Sequence, residues 1–134
     1  MTEHILTETE ASRLSSAALA YLGDSVLEIL VRERLVIDGV KNPSVASLSF
    51  VTAAAQSLAF DRIAPLLNEN ENAVFKRGRN SVHSGVPRNA TPAQYRRATG
   101  FEALFGYLYL SGQSERLREL FRIAFFENDT GLYE

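Results

Sequence analysis

Apolar positions along this chain recur in steps of three and four, and no segment shows the every-second-residue alternation of a half-buried strand. Proline and glycine punctuate the pattern into helical blocks. The first block runs from about Ser15 to Ile37 and closes in IDGV, with Gly39 placed as a C-terminal cap. NPS then restarts a helix, with Asn42 as N-cap and Pro43 at the first helical position. Val45, Leu48, Thr52, Ala55 and Ala59 recur at three and four, which predicts one buried stripe of mostly small residues. Pro65 breaks or kinks that helix. The polar NENENAVFKRGRNS reads as a further helix and SGVPRNA as a loop. TPAQ, Thr91 to Gln94, is a capping box with proline at N1, so a helix starts there and runs to about Ser111, where Gly112 stops it. The last helix, SERLRELFRIAFFE, presents Leu117, Leu120, Ile123 and Ala124 to the core, and Phe121, Phe125 and Phe126 widen that face. With no internal repeat and no dividing linker, the pattern predicts one all-α domain over residues 1–134, with a flexible N-terminus over 1–13 and a tail over 128–134.

Two acids interrupt this pattern where it asks for apolar side chains. Asp24 sits inside AYLGDSVLEIL, and Glu102 inside TGFEALFGYLYL. Burying a charge without a partner costs several kcal/mol, roughly, so each acid needs a reason. Glu102 lies about 100° round the helix from the Phe101, Leu104, Phe105 and Leu108 stripe, with the small Ala98 and Gly106 one turn away on either side. Asp24 has Ala20 one turn before it and Gly23 beside it. Both therefore read as carboxylates in notches with free space around them. If the two helices pair, the acids meet and need a cation between them. Alternatively each is a structural acid neutralised by an arginine, with Arg32, Arg34 and Arg97 as candidate partners.

Composition narrows the choice of cation. The 134 residues suffice to bury a core without staples, and there is no cysteine, so neither a disulfide framework nor a thiolate site is possible. His4 and His83 are the only histidines, which disfavours a zinc site. Oxygen ligands remain, pointing to Mg²⁺, for which Mn²⁺ can substitute. The acidic N-terminus has no apolar signal-peptide core and no run approaches a membrane span. The expectation is a cytoplasmic protein, or a stromal one in a plastid-bearing source, with no membrane partner.

The net charge of −2 hides an asymmetry. Between Ala73 and Arg97 stand Lys76, Arg77, Arg79, Arg88, Arg96 and Arg97 with no acid, so this segment is +6 and the rest of the chain −8. Mixed with Asn80, Ser81, His83, Ser84 and Asn89, these cations suit phosphate and 2′-hydroxyl contacts. Only Phe75 and Tyr95 flank the loop, which favours a duplex backbone over stacked single-stranded bases. A solvated face of clustered charge is the plainer alternative. A carboxylate metal site beside a duplex-phosphate surface implies phosphodiester hydrolysis.

YLGDSVLEILVRERL and FEALFGYLYL, in this order, resemble the two metal-binding helices of the ribonuclease III family. AALAYLGDSVLE, KRGRNS and YRRATGFEALFGYLYL resemble its Mini-ribonuclease III branch, a nuclease domain without the double-stranded-RNA-binding domain; the likeness covers roughly Ala17 to Phe126. The resemblance implies the ribonuclease III helical bundle. It makes Asp24 the principal catalytic and metal-binding aspartate and Glu102 the catalytic, metal-binding glutamate. It further implies a homodimer that cleaves double-stranded RNA with Mg²⁺, leaving 5′-phosphate and 3′-hydroxyl ends. In this branch the substrate implied is the paired end of the 23S ribosomal RNA precursor, with a ribosomal protein as a possible presenter. Larger relatives carry two further acids where this chain has Ala20 and Thr99; the resemblance implies that the branch lacks them too. That leaves the number of metal ions open.

On this reading Arg77, Arg79 and Asn80 hold RNA phosphates, joined by Lys76, His83, Arg88, Arg96 and Arg97. Glu28 either pairs with Arg32 one turn on or serves as an outer ligand. The Val45 to Ala59 face is either a dimer interface or internal core. Two rivals use the same residues differently: a non-catalytic dimeric RNA-binding protein on the same fold, favoured by the two missing acids, and a helical adaptor that binds no RNA.

Overall fold

The computed structural model describes residues 5–82 and 85–127, and among these all regular structure is helical. In chain order the helices are α1 (Glu8–Ser12), α2 (Ser16–Ile37), α3 (Pro43–Ala46), α4 (Leu48–Val51), α5 (Ala53–Ile63), α6 (Glu69–Asn80), α7 (Pro92–Leu110) and α8 (Ser114–Phe126), with a 3₁₀ turn at Ala64–Leu66. No single helix among the described residues is long and apolar enough to cross a membrane.

Helix α7 is the axis of the bundle, packed by α2, α5, α6 and α8. Its second half explains why: every residue from Ala103 to Leu108 is buried, so this stretch has no solvent face to give up. The N-terminus follows the sequence closely. The Thr91 hydroxyl accepts from the Gln94 amide at 3.1 Å, and the Gln94 side chain accepts from the Thr91 amide at 3.2 Å. At the other end Gly112 takes φ 71°, and the Gln113 amide reaches back to the Leu108 carbonyl at 3.0 Å. Helix α2 likewise begins at a Ser15 cap and ends at Gly39 with φ 71°.

Two expectations fail. Of the N-terminus expected to be flexible over 1–13, residues 1–4 lie outside the described residues, whereas in the rest Thr7 and Glu10 form a capping box for α1 and Ala11 is fully buried. The Leu6 amide donates to the Leu110 carbonyl at 2.9 Å, and the Tyr107 hydroxyl donates to Glu8 at 3.2 Å. The segment thus finds its partners on α7, far away in sequence. The expected tail over 128–134 lies outside the described residues.

The second failure is the helix expected to run from Asn42 to Pro65. It is three pieces, and Asn42 makes no side-chain cap. Hydroxyls compete with the helix ladder here: Ser47 donates to the Ser44 carbonyl and Ser49 to that of Ala46. Thr52 turns extended, with ψ 154°, and its hydroxyl caps α5 by accepting from Ala55 at 3.1 Å. The restart rotates the face that is buried. Gln56, Ala59, Phe60 and Ile63 point inward, whereas Val45 and Leu48 of the expected stripe are 65 % and 61 % exposed. Pro65 sits in the 3₁₀ turn that ends the block, as expected.

Candidate active site

Helices α2 and α7 cross with their backbones in contact. A Cβ on Gly23 would stand 1.7 Å from the Glu102 carbonyl oxygen, and one on Gly106 would stand 2.1 Å from that of Leu19. Neither position can carry any side chain without forcing the helices apart. Gly106, beside Glu102, is small because the opposite helix fills the room there; the free space expected round Glu102 lies instead on its pocket side. The crossing brings Asp24 and Glu102 within hydrogen-bonding reach of each other.

Glu102 is mostly buried and Asp24 exposed, so the pair spans the boundary between core and solvent. Burial pushes the Glu102 carboxyl up to about 8, helped by the Asp24 charge and by its hydrogen bond to Asp24, while a hydrogen bond from Gln56 opposes the rise. Near neutral pH the cation-free Glu102 carboxyl thus tends to keep its proton.

The arginine alternative is removed by the ion pairs. Arg32 binds Glu28 at 2.5 Å, Arg34 binds Asp38 at 2.8 Å, and Arg97 binds Asp61. Among the described residues no cationic side chain pairs with Asp24 or Glu102. The Glu28–Arg32 contact also bears out the plainer expectation for Glu28. Asp24 and Glu102 line an open pocket of about 490 Å³ with Ala20, Tyr21, Tyr95 and Thr99. The Thr99 hydroxyl is turned into its own helix, donating to the Tyr95 carbonyl at 3.0 Å. Among the described residues no cluster of three acids or histidines exists. The donor set fits a hard divalent ion held by two carboxylates, with water completing its shell.

Gln56 escaped the sequence reading. It is 3 % exposed and lines, with Glu102, a second cavity of about 580 Å³. The available signal was a polar residue in register with Ala59, Phe60 and Ile63, visible once the helix is started at Thr52.

The basic stretch divides in two. Arg77 donates to the Ser12 carbonyl at 2.5 Å and so clasps the N-terminal segment. Arg79 and Arg97 flank a stacked pair of rings: Phe60 and Phe75 lie 3.7 Å apart at 9°, with Arg97 5.5 Å from the Phe60 centroid and Arg79 5.7 Å from that of Phe75. Arg79 also donates to the Asn80 side chain at 3.1 Å. These three guanidinium groups have partners within the fold. Lys76, Asn80, Arg88 and Arg96 are exposed, and the three cations among them make no ion pair among the described residues. His83 lies outside those residues.

Comparison with known proteins agrees with this geometry. Residues 17–113 match the family model described as Ribonuclease III domain. The chain is similar to the Mini-ribonuclease 3 of Symbiobacterium thermophilum, 46 % identical over 83 % of this chain and 88 % of that one. It is also similar to the Mini-ribonuclease 3 of Clostridium tetani, 39 % identical over 88 % and 81 %. A protein of Fusobacterium nucleatum solved by X-ray crystallography superposes with a TM-score of 0.74 at 32 % identity, covering 81 % of this chain and 91 % of that one.

Proposed function

The chain belongs to the ribonuclease III family, in its Mini-ribonuclease 3 branch, and is an endoribonuclease of that type; from this premise we propose that it hydrolyses double-stranded RNA at the Asp24–Glu102 pocket. One observation carries the assignment of the site. Two carboxylates from different helices line one open pocket close enough to perturb each other, and no cationic side chain among the described residues balances them.

The family is typically metal-dependent, and we read the cation as Mg²⁺, with Mn²⁺ able to substitute, held by Asp24 and Glu102. Such an ion, when bound, would supply Lewis-acid chemistry, polarising a phosphate and lowering the pKa of an attacking water. Asp24, on the solvent side, is placed to orient that water by accepting its hydrogen bond. Glu102, on the core side, would hold the ion as its carboxylate, releasing its proton to solvent. In-line attack on phosphorus breaks the P–O3′ bond, leaving a 5′-phosphate and a 3′-hydroxyl. Ala20 and Thr99, where larger relatives carry acids, offer no further carboxylate, which supports one tightly held ion.

The exposed Lys76, Asn80, Arg88 and Arg96 are our candidates for the RNA backbone, together with His83. Arg77, Arg79 and Arg97 support the surface by holding its scaffold. We further propose a homodimer acting in the cytoplasm on the paired ends of the 23S ribosomal RNA precursor, with a ribosomal protein as a possible presenter. The exposed apolar residues Val45, Leu48 and Val51 suit a dimer interface better than the core first considered for them.

The test is Asp24→Asn assayed on duplex RNA with Mg²⁺ or with EDTA, dimerisation being followed in parallel. Loss of several kcal/mol of transition-state stabilisation corresponds to about a thousandfold or more in rate. Wild-type cleavage by the folded variant would end the catalytic reading. RNA binding without cleavage in the unmodified protein would select the non-catalytic binder instead.

A further inference from the structure

We propose that Gln56 is a positioning residue for Glu102, its neutral amide fixing the orientation in which that carboxylate meets the cation. The inference rests on the nuclease reading of the Asp24–Glu102 pocket.

A glutamine at 3 % exposure is costly unless its amide is satisfied. Gln56 and Glu102 line one cavity of about 580 Å³ on the α5 side of the carboxylate, and the Gln56 amide lowers the pKa of that carboxyl against the effect of burial. Glu102 has little else to hold it. One turn away on its own helix stand Ala98 and Gly106, which offer at most a methyl group. The Thr99 hydroxyl is committed to the Tyr95 carbonyl. Asp24 repels it once both are ionised. Without Gln56 the three side-chain torsions of Glu102 would be set by the cation alone.

Gln56 is itself rigidly placed. The Thr52 cap fixes where α5 begins, and the Gln56 amide nitrogen bonds the Thr52 carbonyl at 3.0 Å in its first turn. Ala59 and Ile63, both fully buried, seat the rest of that face. The side-chain chemistry also matters. A lysine or arginine here would orient the carboxylate equally well but would cancel its charge and repel a divalent ion. A neutral donor orients without competing, as partners of metal-binding carboxylates commonly do.

The experiment measures Mn²⁺ binding to the full chain by electron paramagnetic resonance, without RNA, in wild type, Gln56→Met and Asp24→Asn. Gln56→Met keeps the volume and removes the donor. It should weaken Mn²⁺ binding about 10–100-fold and raise the Mg²⁺ concentration for half-maximal cleavage by the same factor. The KM for duplex RNA at saturating Mg²⁺ should not move. If that variant does not fold, Gln56→Asn retains the amide but retracts it by one methylene, and a weakening in the same direction is expected. Unchanged Mn²⁺ affinity in the Gln56 variant, with binding lost in Asp24→Asn, overturns the role of Gln56 alone. Unchanged affinity in both overturns the cation site and Gln56 with it.

Discussion

Glu71 on α6 and Glu102 on α7 are both acids drawn into the fold, and their surroundings are opposites. Glu71 is fully buried, and Arg116 reaches its two oxygens at 2.8 and 2.9 Å. The Asn68 amide adds a third hydrogen bond at 3.0 Å. Arg116 is anchored in turn by the Leu66 carbonyl and Glu119. Burial by itself would raise the Glu71 pKa, but its hydrogen bonds to Arg116 and Asn68 and the Arg116 charge hold it below the usual 4.5. Glu102 has another carboxylate for a neighbour and is pushed up to about 8. An acid whose charge is balanced within the chain ties α6 to α8. An acid left unbalanced is a vacancy for a positive charge from outside.

Gly23→Ala is the most severe way to break this contrast, because it attacks the crossing that keeps Glu102 and Asp24 together. Overpacking costs about 1–3 kcal/mol and sometimes more, and a Cβ 1.7 Å from a carbonyl oxygen belongs at the upper end. Chemical denaturation should show a loss of about 3 kcal/mol or more, and Mn²⁺ binding should disappear with it.

Arg116→Met attacks the other region. Leaving Glu71 buried without its cation should cost about 3–5 kcal/mol, measured in the same way. Cleavage per folded molecule should stay at the wild-type level. A loss of rate in folded enzyme would show that the two acids are not independent.

The effect of pH sharpens the comparison, since the two shifts have opposite signs. Glu71, with its pKa lowered, contributes stability that is present above pH 4.5 and lost as pH falls through its folded value. Glu102, with its pKa raised, takes up a proton on folding. Its contribution is complete below pH 4.5 and disappears as pH rises to about 8. Melting curves of cation-free protein should therefore decline from pH 5 to 8, and Glu102→Gln should flatten that decline. Because the ion must displace the proton, Mg²⁺ affinity should rise about tenfold per pH unit between 6 and 8, which titration calorimetry in two buffers can follow.

The smallest effect is expected at the Glu28–Arg32 pair, exposed and one turn from Asp24. Arg32→Ala should change stability by less than about 0.5 kcal/mol and leave Mg²⁺ dependence untouched. A shifted Mg²⁺ requirement would return Glu28 to the list of outer ligands.

Much of this was legible in the chain, for local reasons. The ends of α2 and α7 are written in Ser15, Gly39, Thr91, Pro92 and Gly112, whose effects act within one turn. Asp24 and Glu102 stood out because they break an apolar pattern. Glu71 did not, sitting in a polar run where its role depends on an arginine 45 residues away; only Asn68, three residues before it, marked it as half of a capping box. Gln56 was hidden by the break at Thr52, where a hydroxyl outcompeted helical continuity. The arginines of the basic stretch could be counted but not aimed. Whether Arg77 faces RNA or the Ser12 carbonyl is decided by an N-terminal segment more than sixty residues earlier.

The glycine crossing has a consequence for how the site comes into being. Side-chain packing can settle late and remain adjustable, but two main chains in contact define a fixed gauge. With α2 docked on α7, the separation of the carboxylates is set by that backbone contact rather than by the surrounding core. Substitutions elsewhere in the core can then drift without miscalibrating the pair. In such an arrangement, the capacity to take up an ion is a direct reading of whether those two helices have met.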